Sequence, residues 1–262
     1  MLRGDIIKLQ KLGLDLTILF FKTMAMDELN EKDVQAVVGE IKDSILNQVL
    51  DTQSTEENIE KTIAAVQSFY QRYNKKWSWV VGPLSKPETL AQHLKRHGLE
   101  VTETFASCYF DLGRIITPID IPNFIIKKVT ADDDLVDWAI PLSKAFASSD
   151  NAEGFRQLNA RLPHGEFDSL QHYVGYFKDK PISCGTLFLS SDAVMIHNIG
   201  TDPDFSGRGF GKAMTIHLML DAKKHGYKHC FLDASKFGLE MYKKLGFEIY
   251  SYSDIYMKAV KE

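Results

Sequence analysis

The stretch "IGTDPDFSGRGFGKAM", Ile199 to Met214, sets three glycines at alternate positions, Gly207, Gly209 and Gly211, just ahead of a segment with helical apolar spacing. A turn in which alternate residues lack side chains lets backbone N–H groups converge on one point. Where that turn opens a helix, the groups lie at the positive end of the helix dipole, and the site favours phosphate or pyrophosphate. The same glycines also suit a tight strand-to-helix connection that binds nothing. Two phosphate-binding patterns can be set against the spacing. The dinucleotide fingerprint is G-x-G-x-x-G with an acidic residue about 20 positions on. Here the spacing is G-x-G-x-G, while Asp233 ends the next strand 22 to 26 residues after the glycines, which weakens that reading and leaves it open. The loop G-x-x-x-x-G-K-[ST] is rejected, because Ala213 stands after Gly211-Lys212 where the magnesium-binding hydroxyl belongs.

Working outward, "HYVGYFKDKPISCGTLFLSSDAVMIHNIGT" reads as three strands separated by turns at "KDKP" and "SSD". Before them, "FIIKKVT" reads as a strand, "DDDLVDWAIPLSKAFAS" as a helix with acidic residues at its N-terminus, and "AEGFRQLNARL" as a second helix. After the loop come a helix closed by Gly226, the strand "YKHCFLDAS", a helix closed by Gly246, and one or two strands in "FEIYSYSDIYMKAV". This alternation predicts an α/β domain over 123–262. Toward the N-terminus, Val34, Val37, Val38, Ile41, Ile45, Leu46 and Val49 recur at helical spacing, with a polar break at 51–58, which predicts two helices between Asp27 and Tyr73. "WSWVVGP" reads as a strand, "KPETLAQHLKRHG" as a helix capped by Gly98, and "LEVTETFASCYFDL" as extended chain. "GRIITPIDIPN" carries two prolines and no periodicity. The predicted organisation is an α+β domain over 1–112, a linker over 113–122, and the α/β domain over 123–262.

The loop and its flanks resemble the GNAT acyl-CoA N-acyltransferases. Their motif Q/R-x-x-G-x-G/A, preceded by L-x-V-x-P, is matched by Ser206-Gly207-Arg208-Gly209-Phe210-Gly211 after Ile199, Thr201 and Pro203. Ser206 departs from the usual Gln or Arg, although it still supplies a backbone amide. "LDASKFGLEMYKKLGFE" resembles the second family motif, a strand end, a helix and Y-x-x-x-G-F. The resemblance covers roughly the last 140 residues. It implies the GNAT fold, a mixed twisted sheet flanked by helices, and transfer of an acetyl group from acetyl-CoA, as cosubstrate, to a primary amine.

The resemblance also assigns residues. The backbone of Ile199, Gly200 and Thr201 is expected to hold the pantetheine and acyl carbonyl, and Ser206, Gly207, Arg208, Gly209, Phe210, Gly211 and Lys212 the pyrophosphate. Ser235 stands where many members carry an asparagine that contacts the coenzyme, and its hydroxyl also suits a helix cap. Tyr242 occupies the tyrosine that in many members protonates the departing sulfur, a role a phenol of pKa about 10 suits. His197 lies on the strand before the loop, where some aralkylamine-acetylating members have histidine. A strand period of two would put its side chain on the face of Ile199 and Thr201. An imidazole there can take an amine proton, directly or through water. Glu166 and Asp168 are fallback acids. His93 and His97 have metal-compatible spacing but no legible acidic partner, so a solvated helix face is expected and no metal is assigned.

"HLKRHGLEV" (93–101) can be laid on "MYKKLGFEI" (241–249), matching Lys95 with Lys243, Gly98 with Gly246 and Glu100 with Glu248. This suggests a degenerate GNAT-like N-terminal half that lacks the tyrosine and the glycine loop, and that shapes the acceptor pocket or mediates association, a homodimer included. With 44% hydrophobic and 25% charged residues the 262-residue chain can build such cores, and its net charge of −4 offers no broad basic face for nucleic acid. Asp15 interrupts the apolar N-terminal stretch, and no run reaches the roughly 18 apolar residues of a membrane helix, so no membrane is expected. Three separated cysteines in apolar runs point to free, packed thiols and a reducing cytoplasm. The acceptor, a small molecule or a peptide amine, is not legible. A CoA-binding sensor or scaffold without catalysis is the competing reading.

Overall fold

The structure, a computed structural model, describes residues 3–114, 116–130, 132–146, 152–160, 162, 169–191 and 193–258. Two compact units emerge, Met1–Cys108 with Ala234–Glu240 and Ile249–Glu262, and Tyr109–Asp233 with Met241–Glu248. Both mix strands and helices, in keeping with an α+β N-terminal part and an α/β part after it.

In the first unit α1 (Arg3–Thr23) precedes β1 (Asp27–Glu31), β2 (Val34–Val38) and β3 (Asn47–Thr52). Then come α2 (Ile59–Gln71), β4 (Ser78–Val81), α3 (Leu90–Arg96) and β5 (Leu99–Asp111), which ends in the second unit. The strand order is β1-β2-β3-β4-β11-β5, where β11 is Glu248–Lys258. The helix expected over the valine-rich residues 34–49 is corrected to the strands β2 and β3. Val34, Ala36, Val37 and Val38 are all buried, so β2 shows no period of two, and valines at i, i+3 and i+4 imitate a helix face. Their β-branching favours the strand. The second expected helix is α2, whose Ile59, Ile63, Val66, Phe69 and Tyr70 pack on Val38, Val49 and Trp79. Two large side chains of this core have bonded polar atoms: Tyr70 Oη donates to Val37 O at 2.8 Å and Trp79 Nε1 to Thr52 Oγ1 at 2.9 Å.

The second unit contains β6 (Phe124–Lys128), α4 (Asp132–Ala145), α5 (Ala152–Ala160), β7 (Leu170–Phe177), β8 (Lys180–Leu189) and β9 (Val194–Thr201). α6 (Phe210–Lys224) and β10 (His229–Ala234) follow, then α7 (Leu239–Leu245), with strand order β10-β9-β8-β7-β6. The "KDKP" turn is a two-residue hairpin, Lys178 and Asp179 both left-handed at φ 49° and 63°. α4 lies on β7, β8 and β9 from one side, and α6 on β8 and β9 from the other. Phe210, Ala213, Met214, Leu218, Met219 and Ala222 of α6 are buried, and Trp138 and Leu142 anchor α4. The final extended segment is a single strand, β11, and it pairs with β4 (Asp254 opposite Val81). Among the described residues no helix is long and apolar enough to cross a membrane.

Candidate active site

β9 and β10 run parallel, with Val194, Met195 and Ile196 opposite Cys230, Phe231 and Leu232. The pairing stops there, although β9 continues to Thr201 and β10 to Ala234. On its other edge β9 stays paired with β8 as far as Thr201, opposite Ser183. The end of β9 therefore has one open backbone edge. Asp202 donates its N–H to Ile182 O of β8 at 2.8 Å, so strand alternation turns the Thr201 and Ile199 amides to the open edge. Gly200, between them, directs its N–H at Cys184 on β8. Of the three backbone groups expected to meet the acyl carbonyl, two offer a donor on that edge.

The same strand carries a β-bulge. Between the pairs Cys184–Gly200 and Thr186–His197, β8 has one residue and β9 has two, Asn198 and Ile199. Asn198 accommodates the extra residue with φ 56°, a left-handed conformation that asparagine tolerates better than most residues. One extra residue inverts the side-chain alternation beyond it. The expectation that His197 shares a face with Ile199 and Thr201 is thereby corrected. His197 lies opposite Thr186, whose Oγ1 is 2.9 Å from His172 Nδ1, and the His172 ring packs 4.4 Å from Trp138 of α4. Ile199 and Thr201 are on the α6 side: a Cβ added at Gly185 would stand 2.9 Å from Ile199 Cδ1 and 3.0 Å from Met214 Cγ, and one at Gly211 3.3 Å from Thr201 Oγ1. Asn198 Nδ2 donates to the Thr186 hydroxyl at 3.2 Å, adding to a polar row on the α4 face. Burial pushes the His197 imidazole from 6.5 down to about 3, so the ring is neutral at physiological pH.

After β9, Asp202 fixes the entry to the glycine loop. Its Oδ1 accepts the Asp204 N–H at 3.1 Å and its Oδ2 accepts from Lys144 Nζ of α4 at 2.7 Å. Burial alone would raise this carboxyl, but the Lys144 and Asp204 hydrogen bonds outweigh it and hold the pKa low. Neither residue was singled out in the sequence. Asp before Pro at a turn is a local signal for the cap, but Lys144 lies 58 residues away.

A short 3-10 turn, Pro203–Phe205, leads to Ser206, which is extended at φ −60° and ψ 155°. Gly207 and Gly209 are left-handed at φ 74° and 87°, the region glycine enters without penalty. Gly209 is the N-cap of α6 and has no side chain to offer, and the first intrahelical bond runs from Ala213 N–H to Gly209 O at 2.9 Å. The N–H groups of Phe210, Gly211 and Lys212 therefore point out of the helix end without an intrahelical acceptor. The Arg208 guanidinium lies over three rings, 4.9 Å from Phe177, 5.4 Å from Phe205 and 5.2 Å from Phe210. Lys180 sits over Phe205 at 5.0 Å. A fixed cation thus stands in the loop two residues after Ser206, the position where the family usually has Gln or Arg.

Tyr242 is nearly buried on α7, edge-on to Phe247 with centroids 5.8 Å apart. Met241 Sδ lies 3.9 Å from where a Gly211 Cβ would be, which puts this turn of α7 beside the first turn of α6. Ser235 follows β10 and accepts the Gly238 and Leu239 N–H groups through its carbonyl, both at 3.1 Å; its stretch groups with the first unit. Glu166 and Asp168 lie outside the described residues. The solvated face expected for His93 is corrected: the ring is buried, and α2 and the loop before it supply carboxylates absent from any sequence pattern. His93 Nδ1 is 2.6 Å from Glu60 Oε1 and Nε2 3.2 Å from Glu56 Oε1, while His97 Nε2 is 2.7 Å from Glu60 Oε2. Hydrogen bonds from His97 and then His93 bring Glu60 down to about 2. These contacts tie α2 to α3, and no metal-ligating group of three or more such side chains occurs among the described residues. Cys108, Cys184 and Cys230 are buried thiols outside any disulfide, as expected, and burial pushes the Cys184 and Cys230 thiols up.

An open strand edge beside an uncapped, glycine-led helix N-terminus is the arrangement of acyl-CoA-dependent acyltransferases. Residues 168–249 match the family model of the acetyltransferase (GNAT) domain. The chain is 32% identical over 143 residues to an uncharacterized N-acetyltransferase of Methanocaldococcus jannaschii, across 49% of this chain and 62% of that protein's length. A GCN5-related N-acetyltransferase from Kribbella flavida superposes with TM-score 0.73 at 10% identity, covering 95% of this chain and 96% of that one. One from Sphaerobacter thermophilus gives TM-score 0.64 at 11% identity over 86% and 76% of the two chains. The Kribbella flavida superposition extends over the N-terminal half, so the likeness in fold includes that half as well.

Proposed function

We propose that the protein is an N-acetyltransferase that moves an acetyl group from acetyl-CoA to a primary amine by direct attack, with the second unit carrying coenzyme and chemistry. The observation that supports this most is the open edge of β9 beyond Ile196, adjoining the unsatisfied amides at the start of α6. Helix-end N–H groups with the Gly207–Gly209 turn suit a diphosphate, and the Ile199 and Thr201 N–H groups suit a thioester carbonyl. Acetyl-CoA supplies the activated acyl group. Ile199 and Thr201 stabilise the negative charge that develops on the carbonyl oxygen as the amine nitrogen bonds to the acyl carbon. Tyr242 donates its phenolic proton to the sulfur as the carbon–sulfur bond breaks. His197, neutral on the α4 side, accepts a hydrogen bond from the attacking amine and orients it; its low basicity means that the amine proton passes on to solvent. Arg208, rather than Ser206, provides the loop's cationic contact to phosphate. The acceptor is a small-molecule or peptide amine, and three buried thiols outside any disulfide support a reducing, cytoplasmic setting.

The test is thiol release from acetyl-CoA with a panel of amines and N-terminal peptides. Tyr242→Phe is expected to lower kcat by about 10²–10⁴ with coenzyme affinity within about twofold of wild type. Coenzyme binding without turnover on any acceptor would replace the reaction by a sensor or scaffold role.

A further inference from the structure

The first unit repeats the β-α-β element that forms the candidate site in the second. β3, α2 and β4 follow the order of β9, α6 and β10, and β3 and β4 are likewise parallel, with Gln48 and Val49 opposite Ser78 and Trp79. There too the ladder is interrupted: past those pairs the two segments next meet at the bridge between Gln53 and Lys86, where Lys86 N–H donates to Thr52 O at 2.8 Å. At this point the unit holds a cavity of about 500 Å³. Lys11, Leu14 and Asp15 of α1 line it on one side, with Gln53 beyond β3 and Leu84 and Lys86 beyond β4.

The cavity is not a second coenzyme cradle. The loop after β3, "QSTEEN" (53–58), has no glycine to gather backbone amides, and Glu56 and Glu57 put negative charge where phosphates would lie. Its volume falls within the range of small-molecule pockets. Its lining offers both signs of charge beside apolar surface. Gln53 spends its amide N–H groups on Asp51 Oδ1 at 2.8 Å and Leu84 O at 3.0 Å, so the atom it presents is the acceptor Oε1. Lys86 pairs with Glu88 at 3.3 Å, through side chains 51% and 89% exposed, a contact that costs little to exchange.

We propose that this cavity binds a free aliphatic α-amino acid. Its carboxylate meets the Lys11 and Lys86 ammonium groups, its ammonium meets Asp15 and Gln53 Oε1, and its side chain rests on Leu14 and Leu84. The raised Asp15 carboxyl, disfavoured as an anion by burial and then by Asp51 and only partly offset by Lys11, is consistent with a position that a ligand cation completes.

Calorimetry on the full chain without acetyl-CoA, using L-leucine as probe, tests this. Leucine is expected to bind, while 4-methylpentanoate and 3-methylbutylamine, which lack one charge each, bind at least about tenfold more weakly. Asp15→Asn and Lys86→Met should each cost at least about tenfold in leucine affinity and leave coenzyme affinity unchanged. Asn preserves the shape of Asp, and an unaltered melting temperature of each unliganded variant establishes its fold. Tyr242→Phe and Gly209→Ala, in the other unit, should keep leucine affinity, which separates this site from acceptor binding. The proposal is overturned by absence of heat with leucine at about 10 mM, enough to saturate a site of Kd about 1 mM. It is equally overturned if folded Asp15→Asn and Lys86→Met bind leucine as wild type does, or if either singly charged analogue binds as tightly.

Discussion

Replacing Gly209 by alanine separates the backbone role of the loop from crowding. Among the described residues an added Cβ would meet Ile121 Cδ1 alone, at 3.8 Å, which is ordinary van der Waals contact. The cost therefore comes from the φ of 87°, where an L-residue is disfavoured by about 1–2 kcal/mol. If alanine holds the loop in place, the whole penalty appears as lost stability. If the loop instead leaves the left-handed region, the binding-competent fraction falls by about 5–30-fold, and apparent coenzyme affinity falls with it. Gly226, at φ 88° with open space around it at the end of α6, is the matched control. Gly226→Ala should lose similar stability and no coenzyme affinity. The assay is paired denaturant melts and CoA calorimetry on both variants. The reasoning is refuted if Gly209→Ala matches wild type in both measurements, or if Gly226→Ala weakens CoA as much.

His197 predicts an acid-side instability. Its pKa falls from 6.5 to about 3 on folding, so the unfolded chain binds the extra proton first. Stability is intact above about 6.5 and is lost at up to about 1.4 kcal/mol per pH unit as pH falls toward 3; His197→Gln should flatten that slope in melts between those values. For the same reason the pH–rate profile should carry no inflection from this imidazole near neutrality. Arg208→Ala should weaken CoA binding and reduce its salt dependence, because it removes a fixed cation from the loop. Equal salt slopes for wild type and variant would assign the phosphate contact to the backbone alone.

The second unit was legible because its signals are local. Glycines at the turns, apolar spacing in α6 and the Tyr-x-x-x-Gly-Phe end of α7 each state their conformation within a few residues. Asn198 states nothing of the kind, since an asparagine in a strand pattern looks like any polar residue, and the face of His197 depended on it. Lys144 and Asp202, and likewise His93 and Glu60, meet only after folding. Residues 34–49 were misread because a strand buried on both faces loses its alternation. Val34, Val37 and Val38 then satisfy a helical period without forming one.

The pairing of β11 with β4 has a consequence for synthesis. The first unit's sheet receives its strand from residues 248–258, and Tyr256 is part of that unit's core. A ribosome releasing the first hundred residues has therefore produced a unit with a vacant sheet edge and an unfilled core position. Such an edge is open to pairing with other chains until the last strand arrives. The N-terminal unit cannot complete its fold vectorially, and the delay is set by translation of everything between.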